Sequence, residues 1–530
     1  FFLVVEWFSQ RQYHTFLSEH NIRVSLTVDK HTGFHRYIFP TSENSCIIFG
    51  AGSPFRVKES SVEIIGDNAL SGYAYCMDRF SRGSLYFYAE MSRSFDTFST
   101  WENDIHEQQA ALSGARVGAI LNFHTGQNDT IYVKIGFSTV SRQQARKNLL
   151  MEIPAWEFER TALKAARAWD NVLSSVVVEG NDEYKRIFYT ALYHSCLMPV
   201  TTTDVDGKYR GADDKIHTAS GYTHYDSFAF WDTFRTKYPL LTLIQPAVLK
   251  EIARSIMDIY DEGRWEIRGG FYPFLTVRYE HMLTTVVDAY MKGLFDGDPE
   301  NAYQKVRQDA LRQLPEKYEN IGYLPKRPDR TLEYSYDDWC VANMAQALDK
   351  EDDYQKFSRR AKFYMNVWDD DIDFFRARGE DGEWLEFPDD PTHIDETYVY
   401  EGSMWQWRWF VLHDVPGLIE LMGGKEKFTQ ELDYFFSNDL YNHGNQPDLH
   451  AAFLFNYAGA HWLTQKWVRT ILTHPMTQLY GTHEFFEEPI HDRIYKDTPD
   501  GYLREMDDDC GCMAAWYAMS AMGLYQVCPG

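Results

Sequence analysis

The sequence predicts a two-part fold, in which an N-terminal β-sandwich precedes an α/α toroid. Two observations lead to this fold class. Short runs rich in β-branched and aromatic residues, broken by Gly, Asn, Asp and Ser, recur between about residues 21 and 140. Beyond them, apolar residues recur every three or four positions to the end of the 530-residue chain, which is the period of amphipathic helices.

The β-rich region predicts one sandwich domain, residues 1–142, whose N-terminal part we expect to be missing because no clear strand precedes residue 21. Turn residues separate its short runs, as is typical of all-β domains. The predicted strands are residues 22–28, 35–40, 45–50, 61–66, 71–77, 84–91, 117–123 and 130–137.

The period changes at VSRQQARKNLLMEIPAWEFERTALKAARAWDNVLSSV, which predicts a helical linker over residues 143–175. Residues 176–530 then form the second domain, with loops that carry Gly, His, Asp and Trp. No fixed repeat is present, so a toroid is favoured over a solenoid. The predicted helices of this domain are residues 183–197, 230–244, 247–263, 281–294, 301–314, 336–348, 352–368, 403–415, 417–423, 428–437, 449–459, 463–472 and 513–523.

Composition argues against several classes of function. A net charge of −26 repels phosphate backbones and argues against a nucleic-acid partner. No apolar run approaches the roughly 20 residues that span a membrane. The seven cysteines include no Cys-x-x-Cys pair, which argues against a zinc ribbon. Aromatic residues make up 16% of the chain, an excess that favours a protein handling sugars.

Three adjacent carboxylates, Asp507, Asp508 and Asp509, lie in the stretch GYLREMDDDCGCMAAWY. Like charges this close resist joint ionisation, so the cluster indicates a bound cation, a helix N-terminus or a catalytic task. Gly511 permits a sharp turn into the helix predicted over residues 513–523, whose positive end favours ionised carboxylates. The alternative is a solvated acidic turn that only caps this helix.

A second candidate carboxyl, Glu401, lies in the aromatic stretch YVYEGSMWQWRWF. A carboxyl surrounded by aromatic rings is desolvated and tends to keep its proton, which suits a general acid. A carboxylate at a helix N-terminus is the alternative. Together with the polar acidic turn, Glu401 completes the pair of contrasting carboxyl environments that glycosidases use for acid and base work.

Two further stretches mix polar and aromatic residues as sugar sites do. HYDSFAFWDTFRTKYPL supplies Trp231, Asp232 and Arg235, and the loop EYSYDDWC supplies Asp337 and Asp338. Asp and Arg can form charge-assisted hydrogen bonds to hydroxyl groups, and Trp can stack on a sugar ring. The spacing of Asp232 and Arg235 fits an ordinary ion pair on a helix surface equally well.

The loop YNHGNQPDLHAAFLFNY groups Asn445, Gln446 and His450 around Gly and Pro. Oxygen-bearing side chains in an irregular loop are suited to a hard cation such as calcium. The spacing matches no EF-hand and His is a poor calcium ligand, so the local metal signal is weak.

From about residue 22 to residue 530 the chain resembles glycoside hydrolase family 92, the calcium-dependent exo-α-mannosidases. The resemblance implies an (α/α)6 barrel after the sandwich, a Ca²⁺ cofactor and single-step inverting hydrolysis of a terminal α-mannoside. Six blocks carry it in order: GNDEYKRIFYTALYHS, FAFWDTFRTKYPL, EYSYDDWC, YVYEGSMWQWRWFVLHDVPGLIELMGG, HGNQPDLHAAFLFNYAG and DDDCGCMAAWYAMSAMGLYQVCPG.

The resemblance also implies roles for single residues. Glu401 corresponds to the general acid, and Asp509 and Asp507 correspond to the carboxylates that activate water. Asp232 and Arg235 fall in the block that holds the terminal mannose. We expect the other substrate-binding residues to be Trp231, Asp337, Asp338, Asn445 and Gln446.

The chain departs from the family pattern at two places. Members that cut α-1,2 linkages usually have a His-Glu pair where this chain has Asn445 and Gln446, so we expect another linkage or a mannosyl phosphodiester. The loop that supplies calcium ligands in relatives corresponds to Leu449 and His450, where a backbone carbonyl would have to replace a side-chain amide.

Several expectations about the whole protein follow from the resemblance. The partner is an α-mannoside glycan, and the full-length protein is secreted, periplasmic or at the cell surface. Early sandwich strands, part of the leaving-group subsite and a final β-rich segment are expected to lie outside this chain. The alternatives are another α/α-barrel glycosidase or phosphorylase, or a non-catalytic carbohydrate-binding relative. No pattern distinguishes a monomer from an oligomer.

Overall fold

The computed structural model of the protein describes residues 3–9, 12–52, 57–77, 82–103, 105–263, 279–394, 397–481, 485–504 and 506–530. They pack as two compact units. The first, β-rich unit comprises the described residues of Phe1–Val176, Pro199–Phe228 and Met257–Val277. The second, helical unit comprises those of Val177–Met198, Ala229–Ile256 and Arg278–Gly530.

Two antiparallel sheets form the sandwich of the first unit. The strands, numbered along the chain, are β1 Leu3–Ser9, β2 Gln12–Leu17, β3 Ile22–Val28, β4 Thr32–Phe39, β5 Ser42–Gly50, β6 Val57–Ile65, β7 Ala69–Met77, β8 Arg82–Met91, β9 Thr97–Glu102, β10 Ile105–Glu107, β11 Ala111–Gly114, β12 Val117–Thr125 and β13 Asp129–Ser138. One sheet has the order β1-β2-β3-β4-β13-β8-β7-β6-β11, and the other has the order β10-β9-β12-β5. Buried apolar side chains from both sheets, such as Leu70, Leu121 and Val133, share one core.

All eight predicted strands are present, but the prediction that no strand precedes residue 21 is wrong. Strands β1 and β2 form a hairpin in which Trp7 pairs with His14, and β2 pairs in turn with β3. The run QYHTFL of β2 mixes polar and aromatic residues on both faces, so its sequence does not alternate clearly. Pairing with the neighbouring strand stabilises it instead.

Two helices, α1 Arg142–Glu152 and α2 Phe158–Leu173, occupy the predicted linker. Leu149 of α1 packs with Tyr88 of the large sheet, and Phe158 of α2 packs with Phe34. A Cβ on Gly136 of β13 would lie 2.2 Å from the carbonyl oxygen of Ala145, so α1 approaches the sheet as closely as only glycine allows. These helices are therefore part of the first unit rather than a free connection.

The second unit is dominated by helices. The remaining helices, in chain order, are α3 Asp182–His194, α4 Phe230–Thr233, α5 Lys237–Ile244, α6 Pro246–Asp261, α7 Met282–Met291, α8 Pro299–Gln313, α9 Glu316–Glu319, α10 Pro328–Ala347, α11 Glu351–Arg360, α12 Met404–Trp407, α13 Val415–Leu421, α14 Lys425–Ser437, α15 Ala451–Ala458, α16 His461–Thr473 and α17 Cys512–Ala521. The residues of α6 are divided between the two units. Helix α10 packs against α7, α8 and α11, and α17 packs against α3 and α5. Among the described helices, none has the length and apolar character needed to cross a membrane.

The segments between helices contain further strands, which pair as two-stranded sheets. They are β14 Val200–Thr201, β15 Lys208–Arg210, β16 Ile216–Thr218, β17 Tyr225–Asp226, β18 Trp368–Asp369, β19 Phe374–Phe375, β20 Pro475–Tyr480 and β21 Phe485–Arg493. The helix predicted over residues 403–415 is wrong beyond its first turn, because α12 ends at Trp407. Residues 408–412 are buried but irregular. An apolar run that is buried on every side carries no period that separates helix from irregular structure.

We expect Gly136→Ala to lower the free energy of unfolding by about 1–3 kcal/mol, because its methyl group would overlap the backbone of α1. Thermal or urea unfolding of the chain measures this change. Gly126→Ala is the matched control, since its Cβ would lie 3.7 Å from the nearest atom, an ordinary contact distance. Equal stability of the two variants would show that α1 moves away from the sheet at little cost.

Candidate active site

The acidic turn is held in an unusual backbone conformation. Asp509, Cys510 and Gly511 have φ angles of 45°, 58° and 86°, so three consecutive residues are left-handed just before α17 begins at Cys512. At Gly511 a Cβ would lie 2.6 Å from the Cα of Ser195, so this position requires glycine for space as well as for its φ angle.

The three aspartates of the turn have different environments. Asp507 is exposed, whereas Asp508 accepts a hydrogen bond of 2.8 Å from the backbone N–H of Ala514 inside α17. The helix-capping alternative therefore describes Asp508. Asp509 is half-buried and accepts a hydrogen bond from the side-chain amide of Gln446. Burial, with added repulsion from Asp507 and Glu401, raises the pKa of Asp509 to about 7, although the Gln446 amide opposes this shift.

A buried clamp from the α4–α5 segment holds the turn in place. Thr236 donates a hydrogen bond of 2.7 Å to the carbonyl of Cys512, and the Cys512 thiol donates one of 3.1 Å to the carbonyl of Asp232. The amine of Lys237 donates to the carbonyls of Met198 and Cys510. Lys237 is 0% exposed, and burial lowers its pKa to about 8. Sequence reasoning missed Lys237, although a single lysine in the apolar run KYPLLTLI was a detectable signal.

Glu401 also has a left-handed backbone, with a φ of 46°. It precedes the capping box of α12, in which Ser403 and Gln406 exchange hydrogen bonds, so Glu401 lies in the loop and not on the helix. The amide nitrogen of Asn445 lies 3.2 Å from the Glu401 carbonyl oxygen and 3.5 Å from its carboxylate Oε2. These contacts fix both the loop and the direction of the side chain.

The aromatic residues around Glu401 divide into two groups. Tyr400 contacts the ring edge of Trp231 at 5.6 Å, and its carbonyl accepts a hydrogen bond of 2.9 Å from the Trp407 indole. Trp405 and Trp409 instead pack on Phe435 in the helical core. The tryptophan spacing in WQWRW is therefore explained by core packing for Trp405 and Trp409.

Asn445 and Gln446 bring the two candidate carboxyls together. These neighbouring residues lie in a buried loop, and each side-chain amide contacts a different carboxyl, Glu401 for Asn445 and Asp509 for Gln446. Glu401 and Asp509 are more than a hundred residues apart in sequence, yet they lie at the two ends of one dipeptide. Two carboxyls brought together in this way can supply a proton donor and a proton acceptor to one bond.

Trp231, Asp232 and Arg235 adjoin this centre through Tyr400 and Cys512. The alternative of an ion pair on a helix surface is wrong, because Asp232 and Arg235 are 6% and 3% exposed. The Arg235 guanidinium lies 4.8 Å from the centre of the Trp231 ring, and burial lowers its pKa. Its two terminal nitrogens have no hydrogen-bond partner among the described residues.

Asp337 and Asp338 lie in the middle of α10. Their assignment to a loop is wrong, whereas the helix predicted over residues 336–348 contains both. Asp337 accepts hydrogen bonds of 2.7 Å from His281 and 2.9 Å from Gln313, and Asp338 accepts one of 2.9 Å from Arg360. Both carboxylates are almost fully buried with these protein partners. Their contacts favour a structural role inside the helical unit.

The residues predicted to bind metal, Leu449 and His450, are buried at the start of α15. The Leu449 carbonyl accepts a hydrogen bond of 2.9 Å from Trp516, and His450 Nε2 donates one of 2.7 Å to the Trp409 carbonyl. Burial lowers the pKa of His450 to about 3, so its imidazole is neutral. Within the described ranges, no group of three or more His, Cys, Asp or Glu side chains is placed to hold a metal ion.

Comparison with known families assigns both parts of the chain to one family. The profile of the glycosyl hydrolase family 92 catalytic domain matches residues 144–530, and that of the family's N-terminal domain matches residues 6–138. The chain belongs to glycosyl hydrolase family 92. The fold class predicted from the sequence, a β-sandwich followed by an (α/α)6 barrel, is confirmed by this match and by solved structures of the family.

Individual relatives of family 92 are moderately similar. An uncharacterized secreted glycosidase of Arthroderma benhamiae is 25% identical over 466 residues, which cover 77% of this chain and 53% of that protein. The chain thus spans about half the length of this curated relative. A family 92 alpha-mannosidase of Bacteroides thetaiotaomicron in complex with mannoimidazole matches with a TM-score of 0.89 and 29% identity, covering 99% of this chain and 72% of that one. An inverting mannosidase of the same family and organism matches with a TM-score of 0.86 and 28% identity, covering 99% and 74%.

We expect Lys237→Met to lower the free energy of unfolding by about 1–3 kcal/mol, because the buried carbonyls of Met198 and Cys510 lose their donor. Chemical denaturation measures the change. Lys250→Met, on the neighbouring helix α6, removes the same charge from a partly exposed position and serves as the control. If Lys237→Met unfolded like the control, the amine would not be the group that holds the turn.

Proposed function

We propose that this chain is an exo-α-mannosidase that removes terminal α-linked mannose from glycans with inversion of configuration, and that it does not prefer the α-1,2 linkage. The observation that carries the proposal is the dipeptide Asn445–Gln446, whose amides contact Glu401 and Asp509. It supports an acid–base pair with one carboxyl on each side of a sugar. It also supports a leaving-group preference different from that of members with His-Glu at this place.

In the proposed reaction, Glu401 donates a proton to the oxygen of the departing group. Asp509, with Asp507 beside it, accepts a proton from the water that attacks the opposite face of the sugar. A pKa of about 7 suits Asp509 for this role, because a base near neutrality is ionised and still takes up a proton readily. Inverting enzymes place such carboxyls roughly 6.5–9.5 Å apart, and the intervening amide pair supports a separation that leaves room for water.

The oxygen chemistry of the 445–450 loop fits the calcium ion that the family resemblance implies. Gln446 Oε1 is buried and has no hydrogen-bond partner among the described residues, and calcium prefers such oxygen donors. Gln446 Oε1 would hold the ion together with the Leu449 carbonyl, whose oxygen has a second lone pair beside its hydrogen bond from Trp516. The His450 side chain does not fit, because its Nε2 donates to the Trp409 carbonyl. When bound, calcium would act as a Lewis acid and template on the mannose hydroxyl groups.

The substrate and the location of the enzyme belong to the same proposal. Trp231, Asp232 and Arg235 would surround the terminal mannose, with the two terminal nitrogens of Arg235 as donors to its hydroxyl groups. The secreted relative from Arthroderma benhamiae supports a secreted, periplasmic or cell-surface location, where glycan substrates are found.

The experiment that tests the activity is mannose release by this chain from α-1,2, α-1,3, α-1,4 and α-1,6 mannobiosides and a mannosyl phosphodiester, with calcium or with EDTA. We expect calcium-dependent release, weakest from the α-1,2 substrate, with β-mannose as the first product in proton NMR. α-Mannose as first product would contradict inversion. Folded, calcium-loaded protein that releases nothing from any substrate would favour a carbohydrate-binding relative.

Two variants separate the acid from the base. Glu401→Gln should lower kcat/KM by about 10²–10⁴-fold on a mannobioside but by less than about tenfold on a dinitrophenyl mannoside, whose leaving group needs no proton. Asp509→Asn should lower the rate on both substrates by a similar factor of about 10²–10⁴. Steady-state kinetics measures both, with Glu420→Gln on the exposed side of α13 as the control. Equal losses for Glu401→Gln on the two substrates would remove Glu401 as proton donor.

A further inference from the structure

Glu333 on α10 is a buried carboxylate with two different hydrogen-bond donors. Its side chain is only 1% exposed. Oxygen Oε1 accepts a hydrogen bond from the indole N–H of Trp231, and Oε2 accepts one of 3.1 Å from Arg330, three residues earlier on the helix. His281 Nε2 lies 3.7 Å from Oε1, beyond hydrogen-bond distance. Because each oxygen has its own donor, the carboxylate fixes Trp231 and Arg330 relative to each other.

Both donor residues also contact the ring of Tyr400, which immediately precedes Glu401. The rings of Trp231 and Tyr400 meet edge to face, with 5.6 Å between their centres. The Arg330 guanidinium lies 5.8 Å from the centre of the same Tyr400 ring, within the range of a cation–π contact. Two separate contacts therefore lead from the one carboxylate of Glu333 to the one ring of Tyr400.

The backbone of Glu401 depends on how its neighbours are held. Its φ of 46° is left-handed, and a residue other than glycine keeps such a conformation only where its surroundings fix it. Asn445 contacts the Glu401 carbonyl from one side, and Trp407 donates a hydrogen bond of 2.9 Å to the carbonyl of Tyr400. The side chain of Tyr400 is held by the different set of contacts that Glu333 orders.

We propose that Glu333 is a positioning residue for the proton donor, acting through Tyr400 on the direction in which Glu401 presents its carboxyl. This inference rests on the proposed function, because it takes Glu401 as the general acid. A general acid must lie within hydrogen-bond reach of the departing oxygen, and a displacement of about 1 Å can lower the rate roughly 100-fold. Loss of Glu333 therefore costs most where the leaving group needs a proton.

The test compares kcat/KM of the calcium-loaded chain on a mannobioside and on a dinitrophenyl mannoside. Glu333→Gln keeps the size of the side chain, but its amide has one oxygen and cannot accept from Trp231 and Arg330 with separate atoms. We expect a loss of about 10–100-fold on the mannobioside and of less than about threefold on the dinitrophenyl mannoside. A purely structural role would lower both rates by the same factor, because it would only reduce the amount of competent enzyme.

Asp433→Asn is the matched control, because Asp433 makes the same kind of contacts elsewhere in the helical unit. Its carboxylate accepts a hydrogen bond of 2.7 Å from the indole of Trp467 and pairs at 3.4 Å with Lys466. We expect this substitution to leave the ratio of the two rates unchanged. Thermal unfolding of both variants checks that each remains folded.

Two further variants test the route through Tyr400. Tyr400→Leu removes the ring and should itself cause the selective loss on the mannobioside. Adding Glu333→Gln to it should then change the ratio of the two rates by less than about twofold, because both act through one contact. Arg330→Gln removes the guanidinium beside Tyr400 and should cause a selective loss in the same direction, which tests the inference even where Glu333→Gln does not fold.

The same pair of substrates separates failure of this inference from failure of the proposed function. The inference alone is overturned if Glu401→Gln is selective for the mannobioside but Glu333→Gln lowers both rates equally. It is also overturned if the effects of Tyr400→Leu and Glu333→Gln on the ratio multiply. If Glu401→Gln is not selective, the proposed proton donor is wrong and the role of Glu333 falls with it.

Discussion

The central constraint in this structure is the backbone of the acidic turn. Three consecutive left-handed residues precede α17, and such conformations cost on the order of 1–3 kcal/mol for each non-glycine residue. They persist only where the surroundings over-determine them. Here Gly511 lies against Ser195, and Thr236 and Lys237 hold the carbonyls that follow Asp509. The position of Asp509 is therefore set by the packing of α3, α4 and α5 around the turn.

Buried charge plays a related part elsewhere in the helical unit. Asp337 and Asp338 of α10 pair with His281 and Arg360, and burial raises the pKa of Asp338 to about 7 although Arg360 opposes the shift. Buried pairs add little net stability, but removing one partner leaves a charge that nothing compensates. The rotation of α10 against α7 and α11 is thereby restricted to the one that keeps both pairs.

The sequence predicted most of the sandwich and the two carboxyls that the structure brings together in the candidate site. Strands with one face in the core show a visible alternation of apolar and polar residues. A cluster of aspartates before a glycine is compatible with only a few structural or chemical roles. The burial of charged side chains was not predictable, because a local sequence pattern predicts that a charged residue is exposed. That is why Asp337 and Asp338 were assigned to a loop, why an ion pair on a helix surface stayed open for Asp232 and Arg235, and why Lys237 received no role. The pairing of strand β2 depends on distant partners, which no local window contains.

The dipeptide Asn445–Gln446 separates the surroundings of the two candidate carboxyls. Because each amide contacts only one of the two carboxyls, a single substitution at 445 or 446 alters the surroundings of Glu401 or of Asp509 separately. The loop that holds the dipeptide is buried. In the proposed mechanism, a change at one of these two positions would therefore affect proton donation or water activation without affecting the other.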